Sequence, residues 1–319
     1  MPNRARSDDL LFRVGTGVLA FFLIAIVAGI ALELWRVSVL SRHAFGWRFW
    51  LTDVWDPVAG TFGARPFIWG TLYSSLLALI ISTPIALGIA IYISELSPAR
   101  FQRPLVFVTE LLAAIPSIVY GLWAMFVLVP WVRQLQIATP AWLRATPFFS
   151  GPPFGIGMGS AALILSVMVI PFSSSVAREV LKAVPQSQRE GAYALGATRW
   201  EAIRMALFYG RTGIVGAVML GLGRALGETM AVTMVIGNTP KVSLSLFAPQ
   251  YTMSAVLANE FAEATTTLHI HALVEIGLVL FVLTLIINII SRAFIWSLGR
   301  QVTGKTRLKV PAAVAEPAA

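Results

Sequence analysis

The chain contains no cysteine and little charge. Without cysteine there are no disulfides, no thiolate catalysis and no cysteine-ligated metals. Asp, Glu, Lys and Arg make up 12% of the 319 residues and apolar types 57%, whereas a soluble domain carries about 25% charged and about 45–50% apolar residues. So little charge cannot cover a water-soluble surface of this size, and a disordered chain would be poor in apolar residues. A soluble enzyme and a disordered chain are therefore excluded. The mean hydropathy of +0.78 leaves an integral membrane protein. Period-2 alternation is also lacking, which disfavours a membrane barrel. Acidic residues are scarce, with 15 Asp and Glu against 24 Lys and Arg, a net charge of +9. In a soluble protein that excess would point to nucleic acid. Here it fits cationic loops that fix orientation in a bilayer, with no nucleic-acid partner.

What is present is a set of long apolar runs. Six occur, at Val14 to Leu34, Ile68 to Ile93, Val106 to Val129, Ile156 to Val176, Thr212 to Ile236 and Ala272 to Ser297. Each has the roughly 20 residues that cross about 30 Å of hydrocarbon as helix. The first is longer than the 7–15 residues of a signal-peptide core and reads as an uncleaved anchor. An even number of spans puts both termini on one side. With the N-terminus inside, 16 Lys and Arg fall on the inner side and 7 on the outer, which predicts N-in, C-in. The first outer loop, with Arg36, Arg42, Arg48 and Arg65, runs against this bias. The organisation expected is an anchor helix and outer loop at 1–67, a core at 68–297 with a cytoplasmic loop at 178–211, and a basic tail at 298–319. Pro84, Pro116 and Pro171 interrupt spans 2, 3 and 4, each freeing a carbonyl and kinking its helix. Ser82 and Thr83, and Ser173, Ser174 and Ser175, stand where they can satisfy the opened backbone. Such helices fit either ordinary kink repair or the lining of a path.

The loop between spans 4 and 5 is the most informative soluble stretch. Ser187 precedes Glu190 by three, and Thr198 precedes Glu201 by three. Both pairs have capping-box spacing, and Gly196 between them is a natural helix stop. The expectation is a short helix, a glycine break and a second helix entering span 5. Gly191, Ala192 and Ala194 keep the first helix thin, so another protein's surface can approach closely. From the residues alone, a capped loop resting on the membrane serves as well.

Arg224 and Glu228 lie inside the apolar span 5. Read as continuous helix, the span puts Arg224 about 18 Å deep at about 1.5 Å per residue, with Glu228 one turn further on the same face. An arginine there costs about 2.5–3.5 kcal/mol on insertion scales and faces protein or a water-filled cavity. The readings are a self-neutralising structural pair or a functional site. Gly213, Ala217, Gly221 and Ala225 form a small-residue stripe on this span, with Gly223 and Gly227 adding a GxxxG, as tight helix packing in lipid requires. Glu275 and Glu110 are shallower and read as interfacial. Gly299 to Thr306 fits G-x-x-x-x-G-K-[ST] letter for letter, but it follows a membrane span and no strand–helix unit can form around it. His269 and His271 lack a third ligand nearby, and no metal is expected.

Glu190-Gly191-Ala192, three residues, and Gly196 resemble the EAA-x3-G loop of ABC importer permeases, with Gly191 in place of the middle alanine and Leu207-Phe208 where the family often has Leu-Pro. Trp55-Asp56-Pro57-Val58 with Phe62-Gly63-Ala64, Gly70-Thr71-Leu72 with Pro84 and Tyr92 to Leu96, Ala114 to Gly121, and Gly221 to Val232 are similar to the phosphate-specific branch, the PstC type. The likeness covers roughly residues 50 to 297.

The resemblance implies an all-α type I ABC importer permease fold in a bacterial inner membrane, forming half of a pathway for inorganic phosphate. It implies that Glu190, Gly191, Ala192 and Gly196 dock on a cytoplasmic ATPase, and that Arg224 and Glu228 are the sensitive charged residues of the path. Arginine suits phosphate because its planar fork donates paired hydrogen bonds and stays charged. The glutamate would hold Arg224 as a gate or accept a phosphate proton. The partners implied are a second permease of the PstA type, two PstB-type ATPases and a PstS-type outer binding protein. No catalytic residue and no cofactor are expected in this chain, since ATP and magnesium belong to the ATPases. The rivals are a permease for sulfate or molybdate, and a self-sufficient secondary transporter with Glu228 as proton carrier. Lys305→Ala should leave phosphate uptake and ATP hydrolysis by the assembled complex near normal. ATP binding by the purified chain that is lost on changing Lys305 would contradict this.

Overall fold

The computed structural model describes the backbone of residues 2–303 and the side chains of residues 12–298. The tail, with the side chains of the Gly299 to Thr306 motif, lies outside the described residues. In chain order the helices are α1 (Pro2–Val37), α2 (Val39–Phe45), α3 (Arg65–Ile91), α4 (Ala99–Ala114), α5 (Ser117–Trp123), α6 (Val129–Ala138) and α7 (Ala141–Arg144). They continue as α8 (Met158–Lys182), α9 (Gln186–Ala194), α10 (Arg199–Tyr209), α11 (Arg211–Leu226), α12 (Met230–Val235), α13 (Met253–Glu260) and α14 (Thr267–Thr303). A 3-10 turn at Gly46–Trp50 follows α2, and π-helical turns at Tyr92–Leu96 and Ala124–Leu128 follow α3 and α5. The expected all-helical membrane architecture is what the backbone adopts. Five helical stretches are long and apolar enough to span a membrane, at Phe12–Val37, Arg65–Leu96, Ser117–Ala138, Met158–Lys182 and Thr267–Leu298. The pair α10 and α11, bent by 69°, meets the same test only when the two helices are taken together.

The contacts divide into two units. One comprises residues up to 71 with 238–243 and 250–283. Its centre is aromatic, with Phe49, Phe62 and Phe67 fully buried beside Met253, Leu273 and Ile276. Trp55 packs edge-on against Phe62 and Phe67 and donates its indole N–H to Glu260 at 2.8 Å. The same carboxylate oxygen lies 3.2 Å from the His269 ring nitrogen, and that ring stacks on Phe62. The Asp56 carboxylate accepts from the backbone N–H of Val58 and Ala59, so Trp55-Asp56-Pro57-Val58 is an Asx-type turn.

The other unit comprises residues 72–237, 244–249 and the chain from 284. Its core gathers Tyr120, Leu128, Met158, Ile164, Leu165, Val232 and Val235. The N-terminus of α8 has orphan N–H groups that hydrocarbon cannot satisfy. Carbonyls at the end of α12 and in the irregular segment after it do so instead, with Gly157 donating to Val235, Met158 to Ala248 and Gly159 to Leu246, at 2.7–3.1 Å. The expected small-residue stripe packs on α8. Ala217 and Ala225 are buried, Gly213 faces Val180, and Gly221 faces Val169 and Ser173.

Four expectations need correction. Span 3 does not run from Val106 to Val129. Helix α4 stops at Ala114, Ile115 is extended, and a new helix starts at Ser117. Pro116 imposes the break because a residue before proline is driven out of the α region. Span 5 does not continue to Ile236 but ends at Leu226, with Gly227, Glu228 and Thr229 separating α11 from α12. The Ser187 capping box is absent. Pro185 holds the N-cap position of α9, so Ser187 is already inside the helix and cannot cap it. Lastly, the serines beside the prolines do not repair the freed carbonyls, those of Ile80 and Val167. Ser82 donates to the Leu79 carbonyl and Ser174 to that of Pro171.

The stripe makes a stability prediction. A side chain at Gly221 would run into Val169 and Ser173 of α8, whereas nothing lies within 4 Å of a Cβ at Gly223. Gly221→Val should destabilise the detergent-solubilised protein by about 1–3 kcal/mol through overpacking. Gly223→Ala should leave the thermal midpoint unchanged or raise it, since alanine favours helix by about 1 kcal/mol. Equal midpoints for the Gly221 variant and the parent would refute the packing assignment.

Candidate functional site

Two groups of predicted residues can be placed. The first is the loop at α9 and α10. Helix α9 ends in a full glycine stop. Gly196 has φ +83°, its N–H donates to the Tyr193 carbonyl, and the Ala197 N–H donates to that of Ala192. This is the Schellman pattern, and its left-handed position admits glycine at no steric cost. Thr198 then caps α10. Its side chain accepts from the Glu201 backbone N–H, while the Glu201 carboxylate accepts from the Thr198 backbone N–H at 2.7 Å. The second predicted capping box is therefore present in full.

Glu190 and Gly191 are exposed on α9, and nothing lies within 4 Å of a Cβ at Gly191. The absence of a side chain there answers no packing need inside this chain. Between α9 and α10 runs a groove of about 850 Å³ lined by Gly191, Ala192, Gly196, Arg204 and Phe208. Leu195 at its rim is 91% exposed. The result is a thin helix, a lipophilic edge and a groove that presents Arg204.

The sequence reading missed what holds this loop in place. Arg189 makes a forked pair with Glu95, at 3.1 Å from Nε and 2.6 Å from a terminal nitrogen. It also donates to the Val184 and Leu181 carbonyls at 2.8 Å. Arg199 of α10 donates to the backbone carbonyl of the same Glu95, also at 2.8 Å. One residue of the π-helical turn after α3 thus fastens both loop helices. Both partners are largely buried, which strengthens the pair relative to a surface bridge. No local spacing marks it, because the partners lie 94 positions apart.

The second group is Arg224 and Glu228. Arg224 sits in the last turn of α11, where a cation favours the helix dipole. Its guanidinium carbon lies 5.7 Å from the centroid of the Phe172 ring. Its Nε is buried without a hydrogen-bond partner, a state that costs about 1–3 kcal/mol or more for a charged group. Glu228 is not one helical turn further along the same face. It lies in the break, where its carboxylate faces the Ala231 backbone N–H at 3.4 Å. The pair therefore brackets a discontinuity in a membrane helix. Interrupted helices at membrane depth are tolerated where they are buried in protein or line a cavity.

Of the shallower acids, Glu110 lies 3.5 Å from the buried Arg178, which also pairs with Glu179 at 2.7 Å. Glu275, read as interfacial, is buried within the protein. It is only 2% exposed, and one of its carboxylate oxygens has no hydrogen-bond partner.

Residues 83–300 match the family model described as binding-protein-dependent transport system inner membrane component. The chain is 43% identical to the phosphate transport system permease protein PstC of Mesorhizobium japonicum, over 91% of this chain and 90% of that one. It is 45% identical to the protein of the same name from Pasteurella multocida, over 90% and 91%. A probable PstC from Methanocaldococcus jannaschii is 35% identical, over 85% and 89%. Among solved structures, an inward-facing form of the MetNI methionine ABC transporter superposes with a TM-score of 0.55 at 17% identity, covering 72% of this chain and 94% of that one. That last likeness speaks for the fold alone.

Proposed function

The chain belongs to the family of binding-protein-dependent transport system inner membrane components, and from that membership we propose that it is the phosphate-conducting permease subunit of an ATP-driven importer. The observation that carries the phosphate assignment is the 43–45% identity to PstC permeases over about nine-tenths of both chains. The chain breaks no bond. It spans the membrane several times and offers a pathway, while hydrolysis takes place in partner subunits that hold ATP and magnesium. We assign it to a bacterial inner membrane, beside a second permease of the PstA type, two PstB-type ATPases and a PstS-type binding protein.

The geometry supports the residue roles proposed. Arg224 has a buried N–H direction with no hydrogen-bond partner among the described residues, and a dianion passing the break between α11 and α12 would take it. Arginine serves this better than lysine because its fork matches the phosphate oxygens. The Glu228 carboxylate beside the break either opposes premature entry of the anion or takes up a phosphate proton. The exposed α9, with Glu190, Gly191 and Ala192 and the stop at Gly196, is the element that seats on the ATPase. Its fork to Glu95 passes the motor's movement to the cytoplasmic end of α3.

Because Glu190 caps nothing, Glu190→Lys alters surface charge and leaves α9 intact. The variant should insert with normal abundance and retain several-fold less ATPase on purification, with uptake falling in parallel. Full ATPase recovery with normal uptake would remove α9 from the docking face.

Arg224→Gln should abolish phosphate uptake by the assembled complex while its subunits still co-purify. Arg224→Lys should restore little. If Arg224 and Glu228 merely neutralise each other, a lone Arg224→Gln strands the carboxylate and destabilises the chain by several kcal/mol. In that case the double change with Glu228→Gln brings back both stability and transport. Uptake of labelled phosphate by the double variant at matched membrane abundance therefore decides, and a stable but inactive double variant supports the path role. Competition by sulfate or molybdate in the same assay tests the choice of oxyanion.

A further inference from the structure

The four arginines of the first outer loop run against the charge bias of the chain, and transport gives them no task. One of them lies beside a buried acid. A pocket of about 240 Å³ is lined by Trp35, Arg42, Trp47, Trp50 and Glu275. The Arg42 guanidinium lies over the Trp35 ring, 3.7 Å from its centroid, and donates to the Ser38 hydroxyl at 3.0 Å and the Trp35 carbonyl at 2.5 Å. Glu275 faces Ser41 and Arg42. Its Oε2 and the Ser41 hydroxyl are both buried and make no well-formed hydrogen bond among the described residues. Trp47 is 85% exposed and opens the pocket to its surroundings.

We propose that this pocket binds the head group of a zwitterionic phospholipid carrying a primary ammonium, a phosphatidylethanolamine, from the outer leaflet. The charges select a zwitterion. A bare anion would meet the Glu275 carboxylate, and a bare cation would meet Arg42. A phosphodiester beside Arg42 gains a charge-assisted hydrogen bond, and an ammonium gains both the carboxylate and the indole faces. The Glu275 carboxylate keeps acceptor capacity for an N–H donor, which ethanolamine has and choline lacks. The volume holds about eight water molecules at about 30 Å³ each, which matches the few heavy atoms of a phosphoethanolamine group. The position fits as well. With the N-terminus inside, the end of α1 and the start of α14 lie on the outer side, and tryptophans concentrate at membrane interfaces. The site stands independently of the phosphate pathway.

The test is lipid retention by the full chain in detergent, read by native mass spectrometry after incubation with equal amounts of phosphatidylethanolamine, phosphatidylcholine and phosphatidylglycerol. Phosphatidylethanolamine should be retained about tenfold over either competitor, a difference of about 1.4 kcal/mol. Glu275→Gln should erase that preference. Trp47→Ala, at an exposed ring whose loss leaves the core untouched, should weaken retention and guards against a folding defect in the first variant. Soluble glycerophosphoethanolamine distinguishes the source. If it displaces the lipid, the head group alone is read, and if it fails, the acyl chains contribute to the grip. Equal retention of the three lipids, or an unchanged preference in Glu275→Gln, would overturn the proposal.

Discussion

A peptide group in hydrocarbon has no water to bond to, and this constraint governs the rest of the structure. It makes each long apolar run helical, and it also decides where helices can stop. Each interruption is supported by protein. The N-terminal N–H groups of α8 take carbonyls from Val235, Leu246 and Ala248. The end of α9 closes on its own glycine stop, and α10 begins on the Thr198 cap. The two charged residues that lipid would tolerate least stand at the interruption between α11 and α12, Arg224 in the last turn of α11 and Glu228 in the break itself. Irregular backbone and unusual charge occur together because both require a protein lining.

How much of this the sequence revealed depends on how local the cause was. Apolar length alone predicted the spans, because the hydrocarbon thickness sets a single number. The Thr198 cap and the Gly196 stop were readable because each is fixed within five residues. The Ser187 box had the same letters and failed, since Pro185 claimed the cap position first. Spans 3 and 5 were drawn too simply because hydropathy does not register a change of direction. Pro116 is visible as a kink, but the following helix axis is set by packing of Tyr120 and Leu128 into the core. The Arg224 and Glu228 positions were found from charge at depth, while their relation to each other was misjudged by assuming helix through Gly227.

The loop between spans 4 and 5 shows the opposite limit. Its motif was recognisable, but what makes it a rigid element was not. Arg189 saturates its fork on Glu95 and two helix-end carbonyls, and Arg199 adds a bond to the Glu95 backbone. Such a pair is worth more than an exposed bridge because neither side chain has to be ordered out of water on its own. It also fixes the outward presentation of Gly191, where the chain itself needs no gap.

The π-helical turn at Tyr92–Leu96 changes what kind of machine part Glu95 belongs to. A π turn takes one extra residue into the helix and so rotates everything beyond it about the axis. Glu95 sits within this turn and is gripped from two directions, by the side chain of Arg189 and by that of Arg199. The links of both loop helices to α3 therefore converge on this one residue. The extra residue sets the angle at which Glu95 leaves the helix, so the heading of both loop helices is written into the register of α3.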